Sequence, residues 1–452
     1  MNQLEDTIVA KSTPNGVGAI ALIRLSGAQA ISICNACFTK DLLLAKPNTI
    51  HFGSIEDNLG IIDEVLVSIF KNPKSFTGED TIEISCHGND YIVERIIQEL
   101  IANGAKPAGK GEFTMRAFLN GKMDLSQAEA VADMIAADSQ GAHKLALEQM
   151  RGGYSEHMKV LRQNLLDFAS LIELELDFAE EDVEFADRQK LVDLINEILI
   201  KIDSLVNTFK HGNAIKQGVP IALVGRPNAG KSTLLNTLLQ DNRAIVSAEP
   251  GTTRDTIEEA LVIEGTKYRL IDTAGIRQTE SLIEKEGIER TFSQIDKAER
   301  VIYLFDPTSI SMVELKADLQ EMKNLEKVWV VCNKADLMQD KDKSNWKSTY
   351  PRLLFISSKF EEVNELLSKL SELGKQETSQ SDITLTNTRH YESLLSASTA
   401  LKEVKEGIEN NLSGELLAFH INDALEALGQ ITGYVTNDEL LGNIFGRFCI
   451  GK

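Results

Sequence analysis

The feature that most constrains the fold is the loop Gly225–Ser232, which has the pattern G-x-x-x-x-G-K-S. It follows the apolar run Ile221–Val224 and precedes the helical run Thr233–Asn236. Backbone N–H groups of such a loop wrap phosphate groups, and its Lys reaches the β- and γ-phosphates. The loop needs a strand before it and a helix after it, because the helix N-terminus adds its dipole. The chain must therefore contain a strand–loop–helix unit suited to a nucleotide phosphate.

Further short apolar runs follow the loop, and helical segments separate most of them. These runs are Tyr268–Ile271, Val301–Phe305, Val328–Cys332 and Leu353–Ile356. Buried apolar strands that alternate with helices are typical of a doubly wound, mainly parallel sheet. This part of the chain is therefore predicted to be an α/β domain.

Different patterns flank the α/β domain. The first 120 residues mix strand-like runs such as Ala19–Ile23 and Glu64–Phe70 with helical segments such as Tyr91–Ile101. The remaining segments have apolar positions at helical spacing. We predict an α+β domain at 1–120, a discontinuous all-helical domain at 121–215 and 377–452, and the α/β domain inserted at 216–376.

Composition excludes several classes of protein. The 452 residues carry a net charge of −21, which disfavours broad nonspecific binding to nucleic acid. Contact with RNA would need a local basic patch or a partner protein. No apolar run approaches the ~20 residues of a membrane span, and Met1–Asp6 is not a signal peptide. We expect a cytosolic (cytoplasmic) protein with reduced cysteines, in which Cys34 and Cys37 are packing residues rather than a redox pair.

Two motifs after predicted strands add to the nucleotide site, and one of them favours a guanine base. A carboxylate such as Asp336 can accept hydrogen bonds from guanine N1–H and N2–H, donors that adenine lacks. The motif Asp272–Gly275 follows the predicted strand at 268–271. Its Asp can hold Mg²⁺ through water, and its Gly can offer a backbone N–H to the γ-phosphate. The predicted GTP contacts are Asn228, Ala229, Gly230, Lys231, Ser232, Thr233, Asp272, Thr273, Ala274, Gly275, Asn333, Lys334, Asp336, Ser357, Ser358 and Lys359, with Ser232 also a Mg²⁺ ligand.

Hydrolysis needs a group that orients the attacking water. Ras-like GTPases use a Gln that comes just after the Gly corresponding to Gly275 of this chain. Here that residue is Ile276, which cannot do so, and nearby candidates are Arg277, Glu280, Glu284 and Glu286. The Asn228 amide oxygen either coordinates a monovalent cation beside the β/γ-phosphates or stabilises the loop.

The ordered motifs resemble the translation-factor-like branch of P-loop GTPases. Three further stretches, Ser75–Gly88, Gly111–Lys122 and Phe448–Lys452, narrow the resemblance to the MnmE (TrmE) family of tRNA-modification GTPases. The chain departs at Gly109-Lys110, where that family usually has Arg-Pro, and at Ser358, where it usually has Ala.

The resemblance implies an activity and its partners. Such proteins couple GTP hydrolysis, stimulated by K⁺ when the GTPase domains pair, to modification at C5 of the wobble uridine in tRNA. The resemblance further implies a homodimer formed through the N-terminal domain and a hetero-oligomer with an MnmG-like flavoprotein. That partner supplies FAD and binds most of the tRNA, and a tetrahydrofolate derivative supplies the one-carbon unit.

Site residues are also implied by position. Thr253, in the first switch Gly251–Asp255, would ligate Mg²⁺, and Glu284 would position the water through a second water. With Lys231 and Asn228, Glu284 forms the expected catalytic set. The K⁺ ligands would be Asn228, Ser247, Glu249 and Thr252, of which Ser247, Thr252 and Thr253 also belong to the GTP site. The folate site would hold Arg24, Glu83, Lys122 and Lys452. From the sequence alone, each of these residues would be interpreted as an ordinary surface charge.

Two other functions share part of this evidence. A ribosome-assembly switch would have the same GTPase motifs, but it predicts a basic RNA-binding appendage that this acidic chain lacks. A folate-dependent transferase would leave the complete set of GTPase motifs without a role.

Overall fold

The computed structural model describes residues 6–177, 188–240, 244–246, 259–271, 298–320, 322, 324–378, 384–410 and 412–452. The chain divides into two compact units. The first unit comprises residues 1–132, 148–188 and 400–452, and the second comprises residues 133–147 and 189–399. The domain boundaries expected after residues 120, 215 and 376 stay predictions.

A six-stranded sheet forms the start of the first unit, with strand order β3-β4-β5-β2-β1-β6. Neighbouring strands are antiparallel except for β1 and β6. The predicted run Glu64–Phe70 lies inside β4, and the run Ala19–Ile23 overlaps β2. The strands are β1 (Ile8–Lys11), β2 (Ile20–Ser26), β3 (Thr49–Asp57), β4 (Gly60–Phe70), β5 (Thr81–His87) and β6 (Lys106–Pro107).

Two helices cover one face of this sheet. Helices α1 (Ala30–Cys37) and α2 (Asp90–Ala102) pack on the face that carries buried residues such as Ile84. Since side chains alternate along a strand, the intervening residues point to the other face. We call this second face the open face, and it carries Leu22, Arg24, Ile50, Phe52, Leu66, Glu83 and Ser85.

Helices make up the rest of the first unit. Helix α3 (Glu112–Leu119) shares an apolar cluster with α4 (Leu125–Ala136) and α14 (Asp438–Phe445). Beyond α14 the chain returns to the N-terminal residues, where the Ser12 hydroxyl donates to Gly451 O at 3.1 Å. Further helices that the structure describes are α5 (Gln140–Met150), α6 (Gly153–Asp177), α7 (Arg188–Gln217), α12 (Thr388–Glu409) and α13 (Gly414–Thr432).

The second unit is built on a seven-stranded sheet of order β13-β12-β11-β7-β10-β9-β8. The five strands from β13 to β10 are parallel, and β9 and β8 continue the sheet in antiparallel pairing, so the predicted mainly parallel sheet is confirmed. The strands are β7 (Val219–Val224), β8 (Ala244–Val246), β9 (Glu259–Ile263), β10 (Thr266–Ile271), β11 (Arg300–Phe305), β12 (Val328–Cys332) and β13 (Leu354–Phe355). The helices are α8 (Lys231–Gln240), α9 (Met312–Gln320), α10 (Asp340–Thr349) and α11 (Asn364–Thr378).

The fold bears on the expected absence of membrane spans and on the expected role of two cysteines. Among the helices that the structure describes, none is long and apolar enough to cross a bilayer. Cys34 and Cys37 are buried thiols in α1, and burial raises the pKa of Cys37 to about 12. Both side chains lie in the apolar core beside the sheet, so their predicted role as packing residues is confirmed.

We predict that Ile84→Ala, in the fully buried centre of β5, lowers the free energy of unfolding by about 3 kcal/mol. The cause is a cavity between the sheet and α2. Ile61→Ala is the matched control, because Ile61 is 63% exposed and its truncation is expected to change stability by less than about 0.5 kcal/mol. Urea unfolding followed by circular dichroism measures both, and equal losses would contradict the assigned core.

Candidate functional site

The loops that carry the predicted nucleotide motifs meet at one edge of the seven-stranded sheet. Gly225 follows β7, Asn333 follows β12, and Ser357 lies two residues after β13. These strands are parallel, so their carboxyl ends lie side by side. The structure therefore brings the phosphate loop and the base-recognition motifs together, as the sequence predicted.

Two glycines make this convergence possible. A Cβ on Gly225 would lie 2.1 Å from Leu304 O, and a Cβ on Gly230 would lie 2.2 Å from Asn333 Nδ2. Both residues also adopt positive φ, at +150° and +92°. The phosphate loop packs directly on its neighbours because these positions have no side chain.

The Lys231 side chain folds back onto the phosphate loop. Its ammonium donates to Gly225 O at 2.7 Å and to Arg226 O at 3.0 Å. Burial lowers the pKa of Lys231. The loop carbonyls thus hold a partly buried cation at the place where a nucleotide phosphate is expected, and a phosphate would compete for its donors.

Asn333 joins the two halves of the site. Its side chain is buried, with Nδ2 donating to Ala229 O of the phosphate loop at 2.9 Å. Its Oδ1 accepts from the Ser358 N–H at 3.0 Å and from the Ser358 hydroxyl at 2.9 Å. Ser358 O in turn accepts from the Thr237 hydroxyl of α8 at 2.7 Å. One amide therefore fixes the phosphate loop against the loop after β13.

The predicted base-reading residues lie next to this link. Asp336 is exposed in a short 3₁₀ turn (Ala335–Leu337) and accepts a hydrogen bond from the Ser357 hydroxyl. Lys359 lies over the ring of Phe360, with 5.6 Å between the ammonium and the ring centroid. The structure thus leaves this carboxylate exposed, and its predicted role as the acceptor for guanine stays a prediction.

Oxygen donors for cations lie on the exposed side of the phosphate loop. Asn228 is exposed and adopts φ +62°, so its side chain projects from a turn rather than from a helix. Ser232 and Thr233 are exposed in the first turn of α8. Amide and hydroxyl oxygens suit hard cations, and the residues present therefore fit Mg²⁺ and a monovalent cation.

Several predicted site residues lie outside the part of the chain that the structure describes. For these residues the roles stay predictions. They are Ser247, Glu249, Thr252, Thr253, Asp272, Thr273, Ala274, Gly275, Ile276, Arg277, Glu280, Glu284 and Glu286.

Sequence reasoning missed a charged network that holds the phosphate loop. Arg226 Nε and NH2 each approach Asp318 of α9 at 2.8 Å, and NH1 approaches Glu314 at 3.2 Å. The Tyr303 hydroxyl also donates to Asp318. Hydrogen bonds from Ser311, together with Arg226, lower the pKa of Glu314 to about 2. The i, i+4 spacing of the two carboxylates was the available signal, since it places both on one face of a helix.

The expected folate residues lie in the first unit, two of them on its open face. Arg24 and Glu83 are paired across β2 and β5, and their side chains form an ion pair at 2.8 Å. The Arg24 guanidinium also lies 5.5 Å from the ring centroid of Phe76 and 5.7 Å from that of Phe113. The structure thus places the guanidinium of this ion pair near two aromatic rings.

The other two expected folate residues are held by neighbouring segments. Lys122 Nζ donates to Pro73 O at 2.9 Å, in the loop that also carries Phe76. Lys452 follows Gly451, whose carbonyl accepts from Ser12 next to β1. The structure describes all four expected folate residues, and among them only Arg24 and Glu83 are in direct contact.

Comparison with known proteins identifies relatives over the whole length. The model of the TrmE N-terminal domain ("GTP-binding protein TrmE N-terminus") matches residues 7–122, and that of the MnmE helical domain matches residues 125–449. The tRNA modification GTPase MnmE of Flavobacterium johnsoniae is 53% identical, with 99% of each chain covered. The protein of the same name from Flavobacterium psychrophilum is 52% identical, also with 99% of each chain covered. Among solved structures, the G domain of the T. maritima FeoB iron transporter is 26% identical at a TM-score of 0.26, covering 36% of this chain and 99% of that one.

We predict that Gly230→Ala abolishes guanine-nucleotide binding, because the new methyl group would meet Asn333 and strain a left-handed backbone. Equilibrium binding of fluorescent GDP measures the effect. Gly442→Ala in α14 is the control, since a Cβ there meets nothing within 4 Å. Binding by Gly230→Ala equal to that of the control would contradict the assigned phosphate loop.

Proposed function

The chain belongs to the MnmE family of tRNA modification GTPases, and from that premise we propose that it is a K⁺-stimulated GTPase acting with a flavoprotein and a folate. It hydrolyses GTP in tRNA modification. The finer proposal is that hydrolysis drives an aminomethyl-type modification at C5 of the wobble uridine. The observation that carries the nucleotide part is the amide of Asn333, which joins the phosphate loop to the base-reading loops.

The residues around the phosphate loop take distinct roles in this proposal. Lys231 exchanges its loop carbonyls for phosphate oxygens and neutralises charge as the γ-phosphate leaves. Asp336 accepts from the guanine edge, and the Ser357 hydroxyl keeps its carboxylate oriented. Ser232, with Thr253, would hold Mg²⁺, which would neutralise charge on the phosphates. Glu284 would orient the attacking water in place of the Gln that Ile276 replaces.

A monovalent cation is proposed to supply the positive charge that an arginine finger supplies in other GTPases. The ligands would be Asn228, Ser247, Glu249 and Thr252. Asn228 supports the proposal because it is exposed at a turn of the phosphate loop and carries an amide oxygen. A cation held there would act on charge that develops between the β- and γ-phosphates.

We predict that Asn228→Ala keeps nucleotide binding and loses stimulation by K⁺. The reason is that the alanine removes the amide oxygen while leaving the backbone N–H groups of the loop. GTP turnover of the variant, titrated with KCl at constant ionic strength, measures the loss. The exposed residue Asn345 of α10 gives the matched control, Asn345→Ala. A variant that still responds to K⁺ as the wild type does would contradict the proposed cation site.

A tetrahydrofolate derivative is proposed to bind on the open face of the first unit. The Arg24 guanidinium and the exposed ring of Phe76 offer a flat, partly apolar surface for a planar pterin. Glu83 supplies an acceptor for the ring N–H groups, and Lys122 and Lys452 supply cations for the glutamate carboxylates of the folate. The ion pair of Arg24 and Glu83 sets the position of both groups before the ligand arrives.

The open face also supports the proposed homodimer. Ile50 and Phe52 of β3 are 67% and 55% exposed, and Leu66, the cross-strand neighbour of Phe52, is 46% exposed. A group of large apolar side chains on the uncovered face of a sheet is typical of an interaction surface. A second copy of the chain would cover these residues beside the folate site.

We predict that Arg24→Gln weakens binding of tetrahydrofolate at least tenfold, since it removes a charged, planar group from the site. GTP hydrolysis should stay unchanged, because Arg24 lies in the first unit. Calorimetric titration with tetrahydrofolate measures binding. Arg95→Gln is the matched control, as Arg95 forms an ion pair with Asp57 in the same domain but belongs to α2. Equal affinities of the two variants would contradict the folate assignment.

The net charge of −21 bears on how tRNA is engaged. An acidic surface repels the phosphate backbone, so we propose that an MnmG-like flavoprotein, which carries FAD, makes most of the contacts with tRNA. The ribosome-assembly switch considered from the sequence is not proposed, because the family models that match residues 7–122 and 125–449 are those of TrmE and MnmE.

A further inference from the structure

A buried acidic residue outside the predicted motifs lies between the phosphate loop and the base-reading turn. Asp306 is only 5% exposed and is the first residue after β11. Strand β11 lies between β7, which leads into the phosphate loop, and β12, which leads into Asn333. A carboxylate at this place is surrounded by nucleotide-binding segments on both sides.

Three donors converge on this carboxylate. Lys334 Nζ lies 2.6 Å from Oδ2, and Oδ1 accepts from the Thr308 hydroxyl at 2.7 Å and from the Thr308 N–H at 2.9 Å. Burial acts to raise the pKa of Asp306, but the hydrogen bonds from Lys334 and Thr308 outweigh it and lower the pKa. Only an ionised carboxylate offers acceptors on both sides, because a neutral amide would turn its NH₂ group toward one set of donors.

Lys334 is the residue through which this carboxylate can act on the nucleotide site. Its backbone adopts φ +55°, an unfavourable conformation for a residue with a side chain. Lys334 is the N-cap of the 3₁₀ turn that carries Asp336, and its ammonium also reaches Asn228 O of the phosphate loop at 3.4 Å. Fixing this one side chain therefore fixes the start of the base-reading turn relative to the phosphate loop.

We propose that Asp306 is a positioning residue for guanine-nucleotide binding: it holds Lys334 between the phosphate loop and the turn that presents Asp336. Asp306 does not touch the nucleotide itself. The contacts involved do not depend on the γ-phosphate, so GDP and GTP are affected alike. The inference requires only the guanine-nucleotide site and is independent of the proposed K⁺ and folate sites.

The test is Asp306→Asn in the full-length protein, with affinity for fluorescent GDP and for a nonhydrolysable GTP analogue measured without K⁺. We expect both affinities to fall roughly tenfold to a hundredfold, the effect of losing a charge-assisted hydrogen bond. In turnover with K⁺, KM should rise while kcat at saturating GTP is retained. The matched control is Asp340→Asn at the exposed start of α10, which should bind like the wild type.

A double-mutant cycle separates positioning from general destabilisation. In a Lys334→Met background, Asp306→Asn should cause no further loss, because the side chain through which it acts is already gone. If Asp306→Asn lowers the yield of folded protein, Asp306→Glu carries the same comparison, and its loss should also vanish in that background. Wild-type affinity of Asp306→Asn, or additive losses in the double variant, would overturn the proposal.

Discussion

The buried amide of Asn333 is the interaction on which the nucleotide site depends. A nucleotide contacts the phosphate loop and the base-reading loops at once, and these segments are more than 100 residues apart in sequence (Ala229 and Asn333 are separated by 104). A single side chain that donates to one segment and accepts from the other keeps their spacing fixed. The amide is suited to this, because it carries a donor and an acceptor at opposite sides of one planar group. The two glycines of the phosphate loop allow the approach, since a side chain at either would fill the space.

Charged groups extend this link outward. Arg226 ties the phosphate loop to α9 through Asp318, and Lys334 ties the base-reading turn to Asp306. The acidic partners differ in burial, since the Asp306 side chain is 6% exposed and that of Asp318 is 23% exposed, whereas the cations Lys334 and Arg226 are 37% and 42% exposed. Loss of the cation is expected to matter more at Asp306, because it leaves an uncompensated carboxylate that is buried. The Asp306–Lys334 pair is therefore the better candidate for control of affinity.

Much of the fold could be predicted from the sequence, because parallel strands that are buried on both faces have continuous apolar runs in their sequence. Tyr268–Ile271 and Val301–Phe305 became β10 and β11 with shifts of at most two residues. The antiparallel strands β8 and β9 were not predicted, since both are short and their neighbour β10 supplies the pairing. Side-chain links such as Arg226 to Asp318 span 92 residues, so the spacing of the helix carboxylates does not show which residue they pair with. Asp306 lies directly after an apolar run, which places it at the edge of the sheet where the nucleotide motifs meet. Because it belongs to none of these motifs, the sequence did not predict its role.

The central claim is that this protein hydrolyses GTP with a K⁺ ion in the role that other GTPases give to an arginine. The most direct measurement is steady-state GTP hydrolysis by the purified wild-type protein, alone, in KCl and in NaCl at equal ionic strength. We expect turnover that is much faster in KCl, with no activating protein present. Equal, slow rates in the two salts would contradict it and would mean that hydrolysis depends on an external activator.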